Sequence, residues 1–189
     1  MSENFIIDEK KERFLINEIT TLSIDGSFRT RNNDAPVYIK NCKDIEKEEF
    51  KKYTRKYLLQ LYTDHKNSTI SEDKLIEIIT HFKDEATIRF SKILHKDTFR
   101  FGISQKMINL FFKYLWCLSL INEPPHCPFD NIIMQKLFEN GITGLNNWTI
   151  LNSKEDYLKY VDGTKIIAGK KSMTIASWEL LNWNPNNTI

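Results

Sequence analysis

Lys106, Asn109 and Lys113 stand at steps of three and four residues beside or within an otherwise apolar run, residues 107–121. At 100° per residue, seven residues return to within about 20° of the starting direction, so these three side chains are stacked along one helix face. On a helix that is apolar elsewhere, such a stripe faces water, a partner or a cleft, or else its lysines snorkel, with packed stems and wet ammonium groups. Downstream, Pro124-Pro125-His126-Cys127-Pro128-Phe129-Asp130 carries a carboxylate into the first turn of another helix. The helix dipole favours a carboxylate there by roughly 0.3–1 kcal/mol, which is one sufficient reason for Asp130. The alternative is chemical: a fixed carboxylate facing an amine can orient a nucleophile or stabilise positive charge developing at a reacting carbon.

Residues 99–137 resemble the core of the helix-hairpin-helix DNA glycosylase superfamily, in which a hairpin leads into a lysine-bearing helix and a later Pro-x-Asp supplies the catalytic aspartate. The matching residues are Gly102, Lys106 and Pro128-Phe129-Asp130, and the Gln105-Lys106 pair with the second lysine, Lys113, is similar to the archaeal 8-oxoguanine glycosylase branch. The resemblance covers about a fifth of the chain, and Gly102-Ile103-Ser104 stands where the family carries two glycines.

The resemblance implies a DNA-binding protein of base-excision repair, either an active glycosylase and lyase or a relative that binds without cleaving. It implies catalytic roles for Lys106, with Lys113 as the second candidate, and for Asp130, and strand contacts by Lys96, Arg100, Gly102, Ser104, Gln105 and Asn109, without metal or cofactor. A neutral lysine would attack the anomeric carbon to give a Schiff base while the carboxylate assists. The target base must leave its stack. Phe101, Phe111, Tyr114 and Trp116 are the aromatic candidates to hold it, with core packing as their alternative role.

Charge lends this reading a local footing. Residues 83–113 hold seven Lys and Arg against three acids, a local +4 in a chain that totals +2. Such a patch either follows phosphates or marks a solvated face. Arg29 and Arg31, in a polar, turn-prone segment, are further candidates for backbone or minor-groove contacts.

These residues must be positioned by a mainly α fold. The chain has 189 residues with only six Gly and five Pro, and its apolar positions recur chiefly at helical spacing, which predicts a single-domain helical bundle with a helix-hairpin-helix core. Residues 42–189 form the helical core in this reading and residues 1–41 an irregular lobe, because the Ile- and Thr-rich stretch 14–28 reaches Asp25-Gly26, where a short hairpin competes with a helix. Helices are predicted over 44–64, from Ser71 to about residue 94, from about residue 105 to before Pro124, over 129–138, 153–161 and 175–183. Ser104 is the expected cap of the central helix.

Three cysteines without repeated spacing suit a reduced, cytoplasmic protein, and Cys117 lies in an apolar run where buried thiols are common. The four histidines lack metal-site spacing, and there is no phosphate-binding loop, dinucleotide fingerprint or nucleophile elbow. The charged N-terminus is unlike a signal peptide, and the 107–121 run is too short to span a bilayer. A second functional class stays open: a non-catalytic helical interaction module whose Lys106, Asn109 and Lys113 stripe meets a protein partner or solvent.

Overall fold

The computed structural model describes residues 9–30 and 32–183, and Arg31 lies outside them. Seven α-helices follow in order: α1 (Glu9–Phe28), α2 (Asp44–His65), α3 (Glu72–Phe90), α4 (Phe101–Cys117), α5 (Asn131–Glu139), α6 (Lys154–Gly169) and α7 (Ile175–Asn182). The described residues contain no strand, only an isolated antiparallel bridge between Tyr38 and Leu94. The protein is mainly α, as its apolar periodicity predicts. None of its described helices is long and apolar enough to cross a membrane.

α4 is the axis of the molecule. Phe101, Met107, Ile108, Phe111, Phe112 and Leu115 are each 2% exposed or less, so this helix is wrapped by the others. On one side Phe50 packs against Phe28 and Phe99, with ring centroids 5.2 Å and 5.3 Å away, and Phe99 in turn meets Phe82. On another, Phe101, Phe129, Tyr157 and Tyr160 form a second aromatic cluster between α4 and α6. Each such ring stabilises the fold by roughly 1.5–3 kcal/mol relative to exposure.

The N-terminal lobe departs from expectation: residues 14–28 belong to α1, with no hairpin. α1 makes its most extensive packing against α4. Its buried face, Ile16, Ile19, Thr20, Ser23, Ile24, Ser27 and Phe28, follows helical steps and mixes apolar with small polar side chains. Thr20 and Ser23 donate their hydroxyls to the carbonyls of Ile16 and Ile19, so these two buried polar groups are satisfied within the helix, while the Ser27 hydroxyl finds no partner among the described residues. Gly26 serves this contact, not a turn, since a Cβ there would stand 3.2 Å from Leu110 Cδ2.

The link into α4 also differs. α3 ends at Phe90, and two short 3-10 turns, Ser91–Ile93 and His95–Asp97, lead to α4, which begins at Phe101. Ser104 therefore lies inside the helix and donates to Ile79 O at 2.8 Å instead of capping. The other caps stand where the sequence puts them: the hydroxyls of Ser71 and Ser153 accept from the amides of Lys74 and Asp156.

Candidate functional site

Asp130 N-caps α5. Its Oδ1 accepts from the amides of Ile132 at 2.9 Å and Ile133 at 3.3 Å, which fixes the carboxylate at the helix start. Its other oxygen, Oδ2, lies 3.7 Å from Lys106 Nζ of α4. Helix capping and an acid facing an amine are thus compatible roles, one for each oxygen.

Lys106 and Asp130 line a cleft of about 840 Å³ between α1, α4, the start of α5 and the 3-10 turn Trp148–Ile150. The Lys106 ammonium sits 4.5 Å from the centre of the Trp148 ring, which is buried and braces the amine from one side. Leu22, Leu110 and Tyr114 add apolar wall, and Asn32, Asn131, Asn147 and Thr149 add neutral polar groups. Arg29, paired with Asp25 at 3.6 Å, completes a lining of two cations and two carboxylates. The cleft is formally uncharged, suited to a neutral polar ring more than to a phosphate.

The polar stripe of α4 does not share one destination. Lys106 meets Asp130 at the head of α5. Asn109, fully buried, donates to Tyr157 Oη of α6 at 3.1 Å and to Gln105 Oε1 at 3.2 Å. Lys113 meets Glu179 of α7, 2.8 Å from Oε2, with 11% and 3% of the two side chains exposed. Lys113 does not line the Lys106 cleft. It is enclosed by the Glu179 carboxylate and the Trp183 ring, 4.9 Å away, apart from the cleft that Lys106 lines.

The strand contacts implied by the family resemblance are mostly in the core. Gly102, Ser104, Gln105 and Asn109 are buried. The Gly102 amide donates to Leu151 O at 2.8 Å, and a Cβ there would fall 1.8 Å from Trp148 O. That glycine allows the 148–151 segment to seat on α4, and its amide is not offered to a phosphate. Gln105 spans to the loop before α5, donating to Phe129 O at 2.6 Å and accepting from Phe129 N at 3.2 Å. Arg100 is 7% exposed and donates to the carbonyls of Ala35 and Pro36. Of the six, Lys96 alone is exposed.

The basic segment is correspondingly neutralised. Lys83 pairs with Asp84, Arg89 with Glu85, Lys106 with Asp130 and Lys113 with Glu179, while Arg100 is buried. Phe101 and Phe111 are core residues, Trp116 packs partly buried against the core, and only Tyr114 of the four aromatic candidates lines the cleft. Sequence reasoning missed Asn147, Thr149, Asn32 and Asp25 as cleft residues. Nothing in their local spacing ties them to Lys106, because they arrive from two other segments of the chain. Cys117 is exposed, while Cys42 and Cys127 are buried.

A polar chain links Tyr157 of α6, the buried His126 and Glu72 at the start of α3. His126 Nδ1 lies 2.7 Å from Tyr157 Oη, and its Nε2 lies 3.7 Å from Glu72 Oε1. Burial pushes the imidazole down to about 4, against the pull of the Glu72 carboxylate. Among the described residues no cluster of three or more His, Cys, Asp or Glu is arranged to hold a metal ion. Comparison of the chain with protein-family models, with curated proteins and with solved structures finds no match.

Proposed function

We propose that the Lys106–Asp130 cleft takes an extruded nucleotide and cleaves the bond between its base and sugar, with Lys106 as nucleophile. The single observation that supports this reading is the 3.7 Å approach of Lys106 Nζ to Asp130 Oδ2 at the wall of an 840 Å³ cleft. Ligand pockets of a few hundred to roughly 1,000 Å³ accommodate small organic groups, so a base with its sugar fits.

The residues divide the work as follows. Asp130, anchored through Oδ1, accepts a proton from the Lys106 ammonium through Oδ2. The neutral amine adds to the anomeric carbon, the bond from that carbon to the base breaks, and the base leaves with the bonding pair and takes up a proton. The ring oxygen then departs as the sugar hydroxyl, also protonated, and the amine nitrogen gives up its remaining proton to leave a neutral imine, or keeps it as an iminium. Trp148 limits the directions Lys106 can take. With Gly102, Ser104, Gln105 and Asn109 in the core, the strand is not gripped by the start of α4.

Borohydride trapping on duplex and single-stranded oligonucleotides carrying assorted lesions tests the proposal. A covalent adduct lost in Lys106→Gln and retained in Lys113→Gln is the expected result. The pairing of most of the basic segment favours the second class, a helical interaction module. Absence of any adduct together with salt-insensitive association with a protein partner would replace the first reading with that one.

A further inference from the structure

One amide on the cleft wall is locked so that it can only donate. Thr149 reaches Asn147 Oδ1 twice, through its backbone N–H at 2.9 Å and its hydroxyl at 2.8 Å. A backbone N–H has no acceptor capacity, so the Asn147 atom that faces it is the carbonyl oxygen. The Thr149 hydroxyl in turn accepts from Asn32 Nδ2 at 3.0 Å, which commits its own proton to Asn147. Thr149 is 3% exposed, so water does not compete for these bonds. The Asn147 NH2 group makes no hydrogen bond among the described residues, and Asn147 lines the cleft next in sequence to Trp148.

We infer that Asn147 is a specificity-determining residue, reading a carbonyl oxygen on a planar ring lodged beside Lys106. The inference rests on the nucleotide reading of the same cleft and narrows it. An asparagine with both ends free reads adenine through N6 and N7 together. Here the oxygen is already occupied, so that bidentate pattern is closed and an exocyclic amino group meets another donor. A ring with an oxo group at the same place receives a bond instead.

Deoxyinosine and deoxyadenosine differ in this respect and are the probes, titrated separately into the full chain with binding followed by nuclear magnetic resonance. One hydrogen bond contributes about 1 kcal/mol, so deoxyinosine is expected to bind about fivefold more tightly. Asn147→Leu should erase the preference. Asn147→Asp still accepts from Thr149, keeps the turn, and should shift the preference toward deoxyadenosine. Thr149→Val removes the hydroxyl bond but keeps the backbone N–H on Asn147 Oδ1, so the amide stays oriented and the preference for deoxyinosine should persist.

A preference that survives in Asn147→Leu, equal binding by the unaltered chain, or binding of neither nucleoside would overturn the inference. Borohydride trapping separates this outcome from the catalytic reading. A nucleoside preference without an adduct removes only the cleavage step, and an adduct without the preference removes only the role of Asn147.

Discussion

Lys113 Nζ lies 2.8 Å from Glu179 Oε2, and this buried pair fastens the last helix to the central one. Burial raises the Glu179 carboxyl above its ordinary range, and the Lys113 ammonium beside it opposes that shift. Lys113→Met should therefore destabilise the fold by about 3–5 kcal/mol, since it leaves a carboxylate in a dry site. Lys113→Met with Glu179→Leu should recover much of that loss. Denaturant unfolding of the two variants checks it, and the double variant should keep any adduct that forms through Lys106.

Asp130 separates its two roles by substitution. Asn is as good an N-cap as Asp, so Asp130→Asn should change stability by less than about 0.5 kcal/mol, whereas Asp130→Ala should cost about 1 kcal/mol. Both remove the charge that faces Lys106, and both should lower the rate of borohydride trapping by tenfold or more. Equal trapping by Asp130→Asn and the unaltered chain would leave the carboxylate with a capping role alone.

Acid should weaken the fold through His126. The folded protein holds this imidazole neutral down to about 4, while an unfolded chain protonates it near 6.5. Between those values the unfolded state binds the extra proton. Stability is thus complete above about pH 6.5 and falls as the pH drops toward 4. Thermal melts from pH 7 to 4.5 should show the decline, and His126→Gln should flatten it.

Two glycines should respond in opposite directions. Gly102→Ala drives a Cβ to 1.8 Å from Trp148 O, so either α4 or the segment beneath the cleft must shift. A loss of about 1–3 kcal/mol is expected, together with weaker nucleoside binding. Gly169 closes α6, and a Cβ added there would meet nothing within 4 Å, so Gly169→Ala should raise stability by about 0.5–1 kcal/mol. Calorimetric unfolding measures both.

Much of the helical frame is legible locally. Ser71 and Ser153 cap the helices their sequences announce, and the near-continuous apolar run of 107–121 identifies the central helix because a chain segment apolar on every side has to be enclosed. The stretch 14–28 is not legible in the same way. Its Ile and Thr content and its Asp25-Gly26 pair suit a hairpin, and only close packing on Leu110 and its neighbours makes a glycine useful within a helix.

The candidate site divides along the same line. Spacing alone determined that Lys106, Asn109 and Lys113 share a side of one helix and that Asp130 opens the next, because helical geometry and capping act over a few residues. The tertiary structure decided what each of them touches. A step of three residues turns the helix by about 60° from full register, enough to send Asn109 to Tyr157 in the core while Lys106 reaches a cleft. Trp148, Asn147, Asn32 and Glu179 come to α4 from segments distant in sequence. Periodicity reports which way a side chain faces relative to its own helix, and the partner it meets there depends on how the whole bundle closes.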